Sequence, residues 1–191
     1  MILAYIKLGT KILLYKLSRT LGYPLAKPIN ITLSITNKCY SRCKSCNVWK
    51  IYPNAPNLMS KELKIEEWQK IFQSIGKGPV WFTFTGGETM LREDIDTMVR
   101  YIMKYNKPAY INIATSGIYP EKTEKKIIQI LDEIKNKSIL TVNLSIDEIE
   151  KNYDFVRGVP NGFEKVKKTY ILLKKLKTNH KNLIIGVNIV L

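Results

Sequence analysis

From residue 30 to the end of the chain, short runs rich in β-branched residues alternate with longer stretches of helical period. No other feature limits the possible folds as tightly. Residues 30–36 (NITLSIT), 80–85 (VWFTFT), 109–114, 139–146 (ILTVNLSI) and 183–191 (LIIGVNIVL) read as strands. Helices are expected at 60–75, 92–105, 120–135 and 161–177. In the first, Ser60 is the expected cap, and Leu63, Trp68, Ile71, Phe72 and Ile75 fall on the apolar side. Strand and helix alternating in this way imply an α/β fold of parallel strands joined by right-handed crossovers. In such folds the loops at the C-terminal ends of the strands carry function.

The loop after the first strand carries every cysteine in the chain: Cys39-Tyr-Ser-Arg-Cys43-Lys-Ser-Cys46, a C-x3-C-x2-C run. An odd, tightly clustered set is not a disulfide framework; it points to a reducing compartment and a metal site. A closed zinc site wants four ligands. No fourth cysteine exists, and the single histidine, His180, lies in a polar turn far down the chain and reads as an exposed loop residue. Three thiolates can instead hold three irons of a cubane cluster and leave the fourth iron open. Unrelated buried thiols would sit on strands and helices, not in a polar Tyr-Ser-Arg-Lys-Ser loop.

The second strand runs directly into Thr85-Gly86-Gly87-Glu88. Glycines at a strand end let the backbone approach a ligand closely, and a carboxylate there can pair with an ammonium group. With the cysteine run, this motif makes residues 28–191 resemble the radical S-adenosylmethionine (radical SAM) superfamily. The resemblance implies a partial (β/α) barrel with parallel strands, about five of the usual six β/α units being present here. It implies an enzyme in which Cys39, Cys43 and Cys46 bind a [4Fe–4S] cluster and Gly86, Gly87 and Glu88 hold the methionine end of S-adenosylmethionine (SAM). One electron from the cluster then cleaves SAM to a 5′-deoxyadenosyl radical that abstracts hydrogen from a substrate. The protein's share is binding, orientation and shielding.

Other strand ends supply further candidates. Ser145 and Asp147 close the fourth strand, where the family contacts the ribose or the methionine carboxylate; Asn143 shares a face with Ser145 by period two. Thr115 and Ser116 end the third strand and could line the pocket. Gly186 lies on the fifth strand, where the family has a small residue near adenine. Asp154-x-x-Arg157-Gly158, with Trp49-Lys50 after the last cysteine, resembles the subgroup with peptide-modifying and cofactor-building members; Arg157 reads equally well as a salt-bridge partner of Asp154. Three features depart from the family pattern. Ser45 stands where an aromatic residue often covers adenine, Thr89 stands where proline often follows GGE, and no sixth strand follows residue 191.

The net charge of +15 is carried mainly by lysines spread along the helices, with no nucleic-acid-binding motif. Residues 1–27 are expected to form a basic amphipathic helix and linker ahead of a core at 28–191. Ile2, Ile6, Leu13 and Leu17 share one helical face, and residues 1–30 hold no acid. This helix either packs on the domain or lies on an anionic membrane surface. The expected location is therefore the cytoplasm, or the periphery of the inner membrane face. Partners implied are an electron donor such as a ferredoxin or flavodoxin, and a peptide or small-molecule substrate. A parallel sheet normally has both faces covered by helices. Because the chain ends in a strand, a completing segment or second chain is also expected. Two other readings stay open: an iron–sulfur protein without turnover, and a basic nucleic-acid-binding protein with a structural metal.

Overall fold

The structure, a computed structural model, describes residues 2–189, with side chains from residue 9 onward. Strands β1 (Asn30–Ser34), β2 (Trp81–Thr85), β3 (Tyr110–Thr115), β4 (Ile139–Ser145) and β5 (Leu183–Asn188) form one sheet in the order β1-β2-β3-β4-β5, every neighbour pair parallel. Strand order never reverses, so successive right-handed crossovers deliver their helices to the same face. This is the arc of a (β/α) barrel. The helices are α1 (Ile2–Leu21), α2 (Ile51–Asn54), α3 (Ile65–Ile75), α4 (Ile95–Tyr105), α5 (Pro120–Ile134), α6 (Glu150–Arg157) and α7 (Gly162–Asn179).

The core lies between the helices and one face of the sheet. Phe82 and Phe84 of β2, Ile111 and Ile113 of β3, and Leu140, Val142 and Leu144 of β4 are completely buried there against Phe72, Met98, Ile102, Ile127 and Val166. The alternate residues face the other way, and in the middle of the strands they are polar. Thr32, Thr83, Asn112 and Thr141 stand in one register row across four strands. The expected partial barrel is thus present, with helices on its outer face and hydroxyls and amides on the concave one.

Several boundaries differ from the sequence reading. Ser60 does not cap α3; it sits in a 3-10 turn (Pro56–Lys61), and its hydroxyl donates to Asn57 O at 2.9 Å. Lys64 is the N-cap, its N–H bound by the Glu67 carboxylate at 2.8 Å. α4 starts at Ile95 rather than Arg92, because Arg92 is drawn into the bonds described below. α6 was not foreseen: it is short, Tyr153 is its only buried residue, and it lacks an apolar stripe. Gly158, left-handed at φ 60° just after it, is the stop signal that marks its end. His180 is the half-buried C-cap of α7 rather than an exposed loop residue.

α1 is tied to the bottom of the sheet by Lys11, which donates to Gly78 O, and by Tyr15, which donates to Lys27 O at 2.6 Å. Leu13 and Leu17 are 59% and 45% exposed, so the apolar face they mark does not pack on the domain. The side chains of Ile2 and Ile6 on that face, and Val190 and Leu191 of the expected fifth strand, lie outside the described residues. Among the described residues no helix is long and apolar enough to cross a membrane.

Candidate functional site

The site is built from loops at the C-terminal ends of β1, β2, β3 and β4. β1 continues into the cysteine loop through Ile35, whose N–H donates to Thr85 O at 3.0 Å. Behind this stem, Glu62 accepts the Thr36 hydroxyl at 2.5 Å, the Asn37 N–H at 3.1 Å and the Tyr52 hydroxyl. Burial and the Glu62 carboxylate raise the Tyr52 pKa. Arg92 Nη1 donates to Ile35 O at 3.0 Å, Nη2 to Leu63 O at 2.7 Å, and Nε to Asp94 Oδ1 at 2.6 Å; Nη1 also lies 3.6 Å from Glu62. A nearly buried cation and a partly buried carboxylate, each with several partners, thus fix where the loop leaves the sheet.

The far arm of the loop is held by the end of α6. Arg42 N donates to Arg157 O and Lys44 N to Val156 O, both at 2.9 Å, and Trp49 Nε1 donates to Cys43 O at 3.3 Å. Gly158 is glycine because a Cβ there would stand 2.7 Å from the Arg42 carbonyl oxygen. Arg157 Nη2 pairs with Asp147 at 2.7 Å, and its Nη1 points at Cys43 Sγ at 3.6 Å. The Arg157–Asp154 bridge considered from sequence does not form; Asp154 instead accepts the Phe163 N–H at 2.8 Å near the start of α7.

Gly86 and Gly87 serve a contact that the sequence did not reveal. A Cβ on Gly86 would meet Thr36 O at 2.3 Å, and one on Gly87 would meet Lys38 O at 2.4 Å. The glycines therefore admit the cysteine loop against the β2 turn. Two bonds join the loops: Gly87 N to Thr36 O at 2.7 Å and Glu88 N to Lys38 O at 2.8 Å. The Glu88 side chain, 1% exposed, accepts Thr115 Oγ1 at 2.6 Å, Ser116 N at 2.8 Å, the Ser116 hydroxyl and Met90 N at 3.1 Å. Glu88, Thr115 and Ser116, separate candidates in the sequence, form one cluster. Thr89, in the place where proline was expected, is buried, and its hydroxyl donates to Ala114 O at 2.7 Å. Tyr119 flanks the cluster; burial, then the nearby Glu88 carboxylate, pushes its phenol up to about 12.

Ser145 ends β4 in register with Asn188, and among the described residues it joins neither the Glu88 nor the Arg157 network. Gly186 has a reason of its own. A Cβ there would stand 1.9 Å from Asn143 Oδ1, and Asn143 Nδ2 donates to Asn112 Oδ1 at 2.7 Å across the concave face.

The donor set suits a cluster. Among the described residues no three Cys, His, Asp or Glu side chains converge as the ligands of a single ion would. A cubane needs no such convergence, because each thiolate takes a different iron. Cys43 is buried while Cys39 and Cys46 are half-buried, and an arginine is aimed at the Cys43 sulfur. Burial pushes the Cys39 thiol up to about 11, so iron binding there must expel a proton. Sequence reasoning missed Tyr52, Glu62 and Arg92; the one signal was that Glu62 is the first acid in the chain.

Residues 33–190 match the model of the Radical SAM superfamily. The chain is 29% identical over 153 residues to GTP 3',8-cyclase of Aliarcobacter butzleri (strain RM4018), covering 75% of this chain and 44% of that protein. It is 27% identical over 163 residues to the sporulation killing factor maturation protein SkfB of Bacillus subtilis (strain 168), covering 85% and 36%. It therefore spans less than half the length of these relatives. In fold it is similar to native anSMEcpe with bound AdoMet and Cp18Cys peptide, with TM-score 0.58 and 20% identity over 83% of this chain and 41% of the other.

Proposed function

Because the chain belongs to the Radical SAM superfamily, we propose that it binds a [4Fe–4S] cluster through Cys39, Cys43 and Cys46 and SAM beside it, to generate a 5′-deoxyadenosyl radical. When bound, the cluster would supply the electron that cleaves SAM. The observation that carries this reading is the pair of backbone bonds locking the Gly86-Gly87-Glu88 turn to the cysteine loop. A carboxylate and three thiols from distant parts of the chain are thereby held as one unit, the preorganisation that such a site needs.

Glu88 already accepts four hydrogen bonds, which fills its lone-pair sites. Glu88 would hold the SAM ammonium in place of the Ser116 hydroxyl, which can turn away. Thr115 and the Ser116 N–H keep the carboxylate oriented meanwhile. Gly86 and Gly87 hold the turn, Arg157 and Asp147 form the charged wall beside Cys43, and Ser145 would serve the ribose. The neutral hydroxyls and amides of the concave face, Thr32, Thr83, Asn112 and Thr141, would meet the substrate. A peptide is the favoured substrate: the fold neighbour holds a peptide alongside AdoMet, and one relative is a killing factor maturation protein. GTP 3',8-cyclase among the relatives keeps a small molecule as the second reading. The site acts in a reducing, cytoplasmic setting with a one-electron donor.

The test is anaerobic reconstitution with iron and sulfide, followed by iron counting, EPR and chromatography for 5′-deoxyadenosine after addition of SAM and dithionite. About four irons per chain and release of 5′-deoxyadenosine are expected. Stoichiometric zinc with no iron uptake would overturn the reading.

A further inference from the structure

We propose that the end of the sheet opposite the cysteine loop, together with the exposed apolar face of α1, docks on a membrane surface rich in anionic phospholipid. The thiols and Glu88 lie beyond the C-terminal ends of the strands, so docking by the other end leaves them clear of the lipid. The inference goes beyond the proposed function and does not need the cluster. Charge is sorted between the two ends of the strands. Every connection that leads into a strand carries lysine: Lys27 before β1, Lys77 before β2, Lys107 before β3, Lys135 and Lys137 before β4, and Lys181 before β5. All six are exposed, and these connections contain no Asp or Glu. The connections that leave strands hold the acids instead, at Glu62, Glu88, Glu93, Asp94, Asp147 and Glu148. In the last turns of the helices that run into the lysine loops, the acids are Asp132 and Glu133, and Glu133 is taken up by Arg100 at 2.9 Å. A cation near a helix C-terminus favours the macrodipole. That does not account for Lys107 and Lys135, which stand at left-handed positions, φ 50° and 47°, where glycine is the unstrained choice.

α1 adds an apolar component at the same end. Lys11 donates to Gly78 O and Lys27 Nζ to Ile75 O, which ties the helix and its linker to the loop before β2. The half-buried stripe of α1 is Lys11, Leu14, Tyr15 and Ser18, spaced i, i+3, i+4, i+7, and it is mostly polar. Leu13, Leu17 and Leu21 are left exposed, Leu21 at 65%, and Lys16 and Arg19 are exposed with them. The helix thus packs by its polar stripe and keeps its leucines outside. That arrangement suits a bilayer interface, where leucines enter the acyl boundary and cations meet the phosphates. A nucleic acid would use the lysines but leave the leucines in water. Anionic lipid is the occupant that matches both the charge and the apolar stripe.

The experiment is co-sedimentation of the full chain with vesicles of phosphatidylcholine alone or mixed with phosphatidylglycerol. Binding should require phosphatidylglycerol and weaken about tenfold or more between about 20 and about 300 mM salt. Lys77→Gln/Lys137→Gln/Lys181→Gln should weaken it about tenfold or more, at up to about fivefold per cation. Leu13→Ala/Leu17→Ala should also weaken it about tenfold or more, with the salt dependence retained. Both leucines are exposed, so the circular dichroism spectrum should not change. Binding indifferent to phosphatidylglycerol, to salt or to either variant overturns the docking face. Binding of duplex RNA that the leucine variant retains, with no vesicle binding by the wild type, marks a nucleic-acid surface and overturns it. A dimer in ultracentrifugation that the leucine variant dissolves, again with no vesicle binding, marks a contact between two copies and overturns it as well. Vesicle binding as expected, by a chain that takes up no iron and cleaves no SAM, overturns the proposed function and leaves the docking face supported.

Discussion

Replacing Gly87 with alanine adds one methyl group and should cost as much as a large core deletion. Gly87 does not have a positive φ, so its backbone conformation suits alanine. The cost comes wholly from contact. The new Cβ would lie 2.4 Å from Lys38 O, 2.8 Å from Lys38 C and 2.9 Å from Asn37 C, all backbone atoms that cannot swing aside. Reaching ordinary van der Waals distance requires the cysteine loop to retreat by roughly 1 Å. The bonds Gly87 N to Thr36 O and Glu88 N to Lys38 O, now 2.7 and 2.8 Å, would then pass beyond useful hydrogen-bond length. Two lost bonds at about 1 kcal/mol each and about 1–3 kcal/mol of overpacking sum to about 3–5 kcal/mol. That is a large share of a typical domain's stability and lowers Tm by roughly 6–20 °C. Urea unfolding followed by circular dichroism measures it. Gly9→Ala is the control: nothing lies within 4 Å of its Cβ, and in α1 the change should stabilise by about 0.5–1 kcal/mol. A Gly87→Ala protein within about 1 kcal/mol of wild type would refute the claim that the two loops meet backbone to backbone.

Glu88→Gln should turn an amide NH2 toward donors that now meet a carboxylate, destabilising the fold by about 1–3 kcal/mol; calorimetry should show weaker SAM binding with the iron content retained, and unchanged affinity would remove Glu88 from the SAM site. Gly186→Ala should cost about 1–3 kcal/mol by evicting the Asn143 amide, and adding Asn143→Ser should restore most of it; additive effects in urea titrations would disprove the coupling. Burial, partly opposed by the charge of Arg157, pushes the Tyr153 phenol from 10.0 up to about 12 in the folded protein. The stability this contributes is complete below pH 10 and is lost as pH rises from there toward 12, so Tyr153→Phe should flatten the alkaline decline of Tm, and an unaltered slope would contradict the assignment.

The alternation of elements was legible because it is local: period two in 30–36, 80–85 and 139–146 and helical period between them are set by which neighbouring residues are apolar. The cysteine spacing was legible for the same reason, since Cys39, Cys43 and Cys46 lie on one loop. α6 stayed hidden because its polar sequence buries one ring only, and the start of α4 because Arg92 takes its partners from Ile35, Leu63 and Asp94.

By itself, then, the sequence determined the α/β class, the strand-end loops where the candidate residues gather and the three cysteines that share one of them. Tertiary structure alone decided that Glu88 gathers Thr115 and Ser116, that Arg157 turns to Asp147 and Cys43 rather than to Asp154, and that Gly86 and Gly87 admit the cysteine loop. These pairings join residues separated by ten positions or more. Each is chosen by desolvation: a carboxylate or guanidinium carried into the interior by the packing of β2, β3 and α6 must find its donors or acceptors among whatever the fold has brought near it.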